Sequence, residues 1–509
     1  MKSTVAQAIG VAMLLVVGSL ANPLFADSGS YPGCAGEACD AVGRGLLGFI
    51  DRNSPGLHGN GRSCADCHSP LENFQLSPNG VQFRWNLLQL ARRYNPKADD
   101  PLFRPIDADD FRVNGQAASD FTTLRGNALV RITLQLPANL KLVDPASIDP
   151  QTGLPLPGGP QYLIDPSTGL SYSYVDVARM VPSVNNVALT GPDNGAIVWP
   201  RGPNPAGGYQ LDARAGTLPD QALGAFVAHA EVQSLPGQQL LDDIGSFQRT
   251  LFSSPGVARL AAAVRDGVTP LPDPDPVLTP VETQGKAVFI RACGQCHGGP
   301  GQSTPQLVTA PPFPPGAQIG RYFDINVACP RPVDRKVPAR YQFDPCPANV
   351  ANKAKTYEIA LPNIIDPRTG QRLAGARGEP VYKPQGDAGT WFIYRASSDP
   401  GRALLTGNVG GAASNRDDWQ KLDINPVRGV ARTAPYFHNN SALTLLQMVN
   451  HYVQWYKKQE ADLRDAFNFP PFFGNPPFVP PDFSTDAVTF NRMPKPEEVD
   501  PLIAYLKKL

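Results

Sequence analysis

The chain has 509 residues, with 45 basic and 45 acidic side chains and a formal net charge of zero. That balance provides no global field for nucleic acid or an anionic membrane surface, so neither is expected as a partner. The length suits two or three domains, and 55 prolines with 47 glycines point to long ordered loops between short helices.

Residues 1–26 have the form of a secretory signal. Lys2 supplies a charged start, Ile9 to Leu20 an apolar core, and Leu24-Phe25-Ala26 a small-residue edge before Asp27. The apolar run is short for a membrane span and no later stretch approaches one, so no stable membrane span is expected. The mature chain is expected to be exported, to a periplasmic setting. Ala41 to Asp51 then reads as a short helix, and it leads towards Cys64-Ala65-Asp66-Cys67-His68. A second pentapeptide of the same form, Cys293-Gly294-Gln295-Cys296-His297, lies far downstream. Cys-x-x-Cys-His is the pattern of covalent haem c attachment. One helical turn presents both thiols to a single porphyrin edge, and the following histidine serves as proximal iron ligand. Two copies imply two covalently bound haem c groups, on Cys64, Cys67 and His68 and on Cys293, Cys296 and His297. Zinc binding or disulfide formation is the alternative use of the same residues.

Between the motifs, Asn86 to Tyr94 reads as another helix, and from about 95 to 180 the texture changes to Pro, Asp and Gly with β-like runs such as Ala128 to Leu136. Ile148-Asp149-Pro150-Gln151-Thr152-Gly153 recurs with variation from Ile164 and again from Ile365. Asp-Pro followed by Thr-Gly between apolar residues marks a turn between extended segments; a cation-binding loop is the rival reading. Helical texture returns at Asp220 to Gln233 and Gly237 to Phe252. Residues 266–280 have the composition of a stiff linker. Val281 to Arg291 is expected to be the helix entering the second motif. Pro496 to Leu509 is expected to be a terminal helix, with Val499, Leu502, Ile503 and Leu506 at helical spacing. The fold class expected is mainly α with extensive loops. Two cytochrome c-like haem domains, 27–265 and 281–509, flank the linker, and the first carries the Pro/Gly-rich insertion with short β hairpins.

Four cysteines lie outside the motifs. In an oxidising compartment the locally simplest of three connectivities pairs Cys34 with Cys39 and Cys329 with Cys346; the alternative is unpaired buried thiols.

Three further segments carry a resemblance. They are Val181 to Ala188 (VPSVNNVA), Leu211 to Gly224 (LDARAGTLPDQALG) running on to Glu231, and Arg428 to Ser441 (RGVARTAPYFHNNS) running on to Tyr452. With the two haem motifs, they make the chain resemble the dihaem cytochrome c peroxidase and MauG superfamily, in its MauG-like branch. The resemblance implies hydrogen peroxide as substrate at haem 1, and a small redox protein or a protein substrate as electron donor. It sets a Gln and a Glu ten residues apart over haem 1, matched here by Gln221 and Glu231. A carboxylate there can move a proton between peroxide oxygens. No histidine lies between His68 and His229, and His58 sits in a Gly-Asn loop as a surface residue, so haem 1 is expected to be five-coordinate. Haem 2 is expected to store electrons with Tyr452 as second axial ligand, against the rivals His451 and Met493. Asn186 matches an asparagine that supports an interdomain calcium ion, with backbone oxygens near Ile424 to Pro426. His438 matches a histidine with a haem-pocket structural role. The chain departs from the family at Leu211, where a relay Trp is usual, and Trp199 or Tyr209 is a candidate replacement. Two other functions remain open: a dihaem oxygenase of the rubber-cleaving type, and a non-catalytic dihaem electron-transfer cytochrome.

Overall fold

The computed structural model describes residues 33–54, 56–114, 119–190, 208–275, 277–299, 322–324, 327–328, 343–344, 354–362, 379–383, 389–409, 418–468 and 493–509. The segment 1–26, Trp199, Cys329, Cys346 and the third Ile-Asp-Pro copy lie outside them. Helices, loops and short antiparallel strands make up the described chain.

Two helix crossings organise the ends of the molecule. Helix α1 (Cys39–Ile50) begins beside the Cys34–Cys39 disulfide, which the structure contains with a Cα–Cα distance of 5.3 Å. α1 packs on the later helix Gln238–Arg249, and Gly45 sits at the crossing. A Cβ added to Gly45 would lie 1.9 Å from the Asp243 carbonyl oxygen. Only a glycine lets the backbones approach this closely. The same device recurs at the other end. The helix Pro280–Ala292 crosses Val499–Lys508 at Gly285, whose added Cβ would lie 1.9 Å from Pro501 O. Four residues after each glycine a phenylalanine, Phe49 or Phe289, enters the core. Each Cys-x-x-Cys-His turn is thus delivered by a helix clamped at a glycine. The turns themselves are helix α2 (Cys64–Cys67) and the short helix Gly294–His297.

Between these ends lies a third core built from strands. β1 (Leu129–Gln135) alternates buried and exposed residues, as a half-buried strand should. β2 (Leu140–Val143) follows it, and β3 (Tyr174–Met180) returns antiparallel on β1 with Leu129 opposite Met180. Within its own segment β2 makes only a bridge, Val143 opposite Tyr162. It pairs with β4 (Lys355–Pro362), Leu142 opposite Tyr357, and β4 pairs with β5 (Thr390–Ser397). Strands from the 95–180 insertion and from the second half therefore share one sheet, over a core that includes Tyr357, Ile359, Ile393 and Trp419. The two described Ile-Asp-Pro copies are the same turn. In each, Asp149 or Asp165 accepts backbone N–H bonds two residues on, and Gly153 or Gly169 takes left-handed backbone at φ 67° and 68°. No helix among the described residues is long and apolar enough to cross a membrane.

Candidate functional site

Ser63 starts α2, and Asp66 locks it. The Asp66 carboxylate accepts from Ser63 N at 2.9 Å and from Ser63 Oγ at 3.0 Å, closing a capping box. Asp66 is buried, and Arg52 and Arg84 pair with it at 2.5 and 3.0 Å. Burial alone would raise its pKa; the two guanidinium groups outweigh burial and hold it below the usual carboxylate range. Cys64, Cys67 and His68 are therefore presented from a turn pinned by an ionised carboxylate. Asp66→Ala is expected to cost about 1–3 kcal/mol, because it removes the acceptor that caps the turn while Arg84 keeps its second carboxylate, Asp100. Urea unfolding of the two proteins at pH 7 measures this, and a loss below about 1 kcal/mol would contradict the role given to Asp66.

His68 donates through Nδ1 to the Phe74 carbonyl at 3.0 Å. A carbonyl only accepts, so the proton is on Nδ1, and Nε2 keeps its lone pair for a metal. The residues on either side of Phe74 are held in turn. Ser183 Oγ donates to Asn73 O at 2.6 Å, while Asn73 and Gln75 donate to Arg432 O and Ala434 O at 2.9 and 2.8 Å. Segments 181–188 and 428–441, singled out in the sequence, thus meet behind the first histidine.

Cys64, Cys67 and His68 line a cavity of about 80 Å³ together with Gln221 and His229. Both come from helix α3 (Leu218–Ala228) and its cap, with Ala225 between them on the same face. His229 had no role in the sequence reading. Burial pushes its imidazole down to about 4. Glu231, expected over this site, is not in the cavity wall. It is exposed, with φ 50°, and accepts from Asn60 Nδ2 at 2.8 Å. His58 is exposed, as expected of a surface loop.

The second cavity, about 270 Å³, is lined by Cys293, Cys296, His297 and Tyr452 among others. Burial raises the Tyr452 hydroxyl pKa, and the two nearby thiols add to the effect. Of the three residues weighed as second ligand, Tyr452 alone is in the cavity wall. His451 is buried between Phe437 and Phe343, with ring centroids 4.7 and 5.9 Å away, and Met493 packs on the terminal core. His438 lines this cavity too, and burial pushes it down to about 4.

Met180 and Pro182 line both cavities, so they form the wall between them. Leu211 faces the second cavity and Gln210 the first, while Tyr209 is packed in the first core and lines neither. Asn186, matched to a calcium-supporting asparagine, is buried and spends its amide on protein partners. Its Oδ1 accepts from Ser253 N at 2.9 Å, and its Nδ2 donates to Ser253 Oγ at 3.0 Å and Arg428 O at 3.1 Å. Among the described residues no three His, Cys, Asp or Glu side chains gather as a metal-ion cluster. The four motif cysteines carry free thiols.

No protein-family model and no curated protein matches the chain. Among solved structures, it is similar to a MauG-like protein associated with microbial copper homeostasis. The identity is 15%, covering 94% of this chain and 91% of that one, at a TM-score of 0.36. It is also similar to hydrazine synthase of Kuenenia stuttgartiensis, at 13% identity over 85% of this chain and 93% of that one, with a TM-score of 0.26. At these scores neither likeness carries an argument about this chain.

Proposed function

We propose that this chain is an exported dihaem c-type oxidoreductase that reduces hydrogen peroxide at a first haem and stores electrons at a second. The observation that carries the reading is the pair of unequal cavities sharing one wall. Each opens on a Cys-x-x-Cys-His turn, one facing Gln221 and His229 and the other facing Tyr452.

The residues present fit the group. Cys64 and Cys67 offer free thiols one turn apart, and His68 keeps Nε2 available because Nδ1 is committed to Phe74 O. Cys293, Cys296 and His297 would hold the second haem in the same way. A bound haem c supplies an iron that exchanges single electrons. The protein supplies the rest. Gln221 can hydrogen-bond a peroxide oxygen, and Tyr452 would close the second site. A tyrosinate ligand is hard and anionic and favours the ferric state. The Cys34–Cys39 disulfide suits the oxidising compartment in which such a chain would work. The electron donor in this reading is a small redox protein or an oxidisable side chain on a partner.

One observation favours the oxygenase alternative, since Glu231 lies outside the first cavity wall. Polar Gln221 and His229 in that wall weigh against the apolar pocket that the alternative needs.

A hydrogen peroxide titration of the ferric holoprotein, followed by absorption and EPR, tests the proposal. A high-spin signal that disappears on adding peroxide is expected. Two low-spin signals unchanged by peroxide would move the chain to the electron-transfer class. Tyr452→Phe is expected to change the g-values of the second haem and raise its reduction potential, leaving the first haem's signal in place. An unchanged second haem in that variant, with a change instead in His451→Gln or Met493→Leu, would remove Tyr452 as the ligand.

A further inference from the structure

His229 caps α3, and its N–H still donates to Ala225 O at 2.9 Å. Its side chain therefore stays in phase with Gln221 and Ala225, four residues apart along one helix face, and all three line the first cavity. Two residues later the chain takes left-handed backbone at Glu231 and leaves that face. Asn60 fixes the division. Its Nδ2 donates to His229 O at 2.9 Å and to Glu231 Oε2 at 2.8 Å, and its N–H donates to Ala230 O at 2.7 Å. Behind it, Arg62 and Asp107 form a buried ion pair at 2.7 Å. The imidazole is thereby held inside and the carboxylate outside.

No described residue hydrogen-bonds to the His229 ring, in contrast to His68. The charged or titratable groups acting on it are Asp107, Arg62, Arg214 and His68, and burial dominates, keeping the ring neutral at pH 7. A neutral imidazole has one lone pair and one N–H, so it can take a proton at one moment and return it the next. An unpartnered imidazole of this kind, lining the same cavity as His68, is suited to a small protic ligand.

We propose that His229, and not Glu231, is the proton-transfer residue of the first haem site, with Asn60 as its positioning residue. This rests on the peroxidase reading above. His229 takes the proton from one oxygen of hydrogen peroxide and gives it to the other as the O–O bond breaks, so that oxygen leaves as water. The remaining oxygen leaves as a second water after receiving two solvent protons and two electrons. Those electrons come from the external redox protein by way of the haem pair.

Cyanide binding tests the inference without turnover, because hydrogen cyanide must lose its proton to bind ferric iron. In stopped-flow mixing of the ferric holoprotein, His229→Gln is expected to slow both cyanide association and the peroxide reaction by about 10²–10⁴-fold, while Glu231→Gln changes either by less than about threefold. His229→Gly should regain cyanide association when free imidazole is added, which a purely structural role would not allow. The inference is overturned if Glu231→Gln gives the large loss and His229→Gln does not. It is equally overturned if the first haem is low-spin and becomes high-spin in His229→Gln, which would make His229 an iron ligand. Cyanide binding that depends on His229 in a protein inert to peroxide would uphold the proton-transfer role and refute the peroxidase reading.

Discussion

Cys64→Ala combined with Cys67→Ala is expected to halve the covalently bound haem and abolish the reaction with peroxide. The two thiols stand one turn apart on a helix capped by Ser63 and Asp66, and both line the first cavity. Without them no thioether can form there, and His68 alone would have to retain the group. The equivalent change at Cys293 and Cys296 should also halve the haem but leave a high-spin ferric signal that still binds cyanide. Alkaline pyridine spectra quantify the haem, and intact mass shows whether it is covalent. Equal peroxide reactivity in the two double variants would mean that the cavities do not differ in the way proposed.

Arg179→Leu should produce the largest loss of stability, about 3–5 kcal/mol, the range for breaking a buried ion pair by removing one partner. Arg179 lies at the end of β3 and is 1% exposed. It binds Asp399 at 2.6 and 2.9 Å and also pairs with Asp212, both carboxylates being buried. One guanidinium thus joins the insertion, the segment before α3 and the second half of the chain. Removing it leaves the buried Asp399 carboxylate without its cation and Asp212 with Arg214 alone, 3.3 Å away. The pH dependence has a definite sign. Burial on its own would raise Asp399; the Arg179 pairing outweighs it and brings Asp399 down to about 2. A pKa lowered in the folded state contributes stability that is fully present above about pH 4 and is lost as pH falls towards 2. In Arg179→Leu burial is opposed only by His438 and the Gly401 N–H, which bonds Asp399 at 2.8 Å, so Asp399 rises and acid relieves the variant. The stability gap between the two proteins should be widest near pH 7 and should narrow as pH falls, first above pH 4 as Asp399 of the variant takes its proton and then between pH 4 and 2 as the wild type loses its pairing. Urea unfolding at several pH values measures it, and a gap independent of pH would place the cost elsewhere.

Much of the local structure could be read from the sequence because its signals are local. The helix read at 281–291 is observed at Pro280–Ala292, and the strand read at 128–136 is observed at Leu129–Gln135. The disulfide between Cys34 and Cys39 spans five residues and followed from proximity alone. The helix read from Asn86 in fact starts at Pro78. Pro78 and Gly80 look like breakers, yet Ser77 is an N-cap and Pro78 fills the first helical position, where its missing N–H costs nothing. The sheet joining β2 to β4 was not readable, since paired residues such as Leu142 and Tyr357 lie far apart in the chain and no turn links them. The glycine crossings were present as Gly-x-x-x-Phe at 45–49 and 285–289, a pattern that acquires meaning only once the partner helix is known.

The candidate site divides in the same way. The two Cys-x-x-Cys-His turns, singled out in the sequence, each line a cavity, and Tyr452 lines the second. Glu231 was singled out by a ten-residue spacing, which counts positions but not directions. Helical phase runs from Gln221 through Ala225 to His229, and the left-handed turn at Glu231 leaves no mark in composition. The wall formed by Met180 and Pro182 is equally silent in sequence, because it depends on β3 ending between the two cavities.

The two sites, in the function proposed, hold unequal haems. Low-temperature EPR of the as-isolated ferric holoprotein, with haem counted in the same sample, tests it most directly. Two covalent haems with one high-spin signal and one low-spin signal are expected, the low-spin signal changing in Tyr452→Phe. Two equivalent low-spin signals, or fewer than two covalent haems, would contradict it.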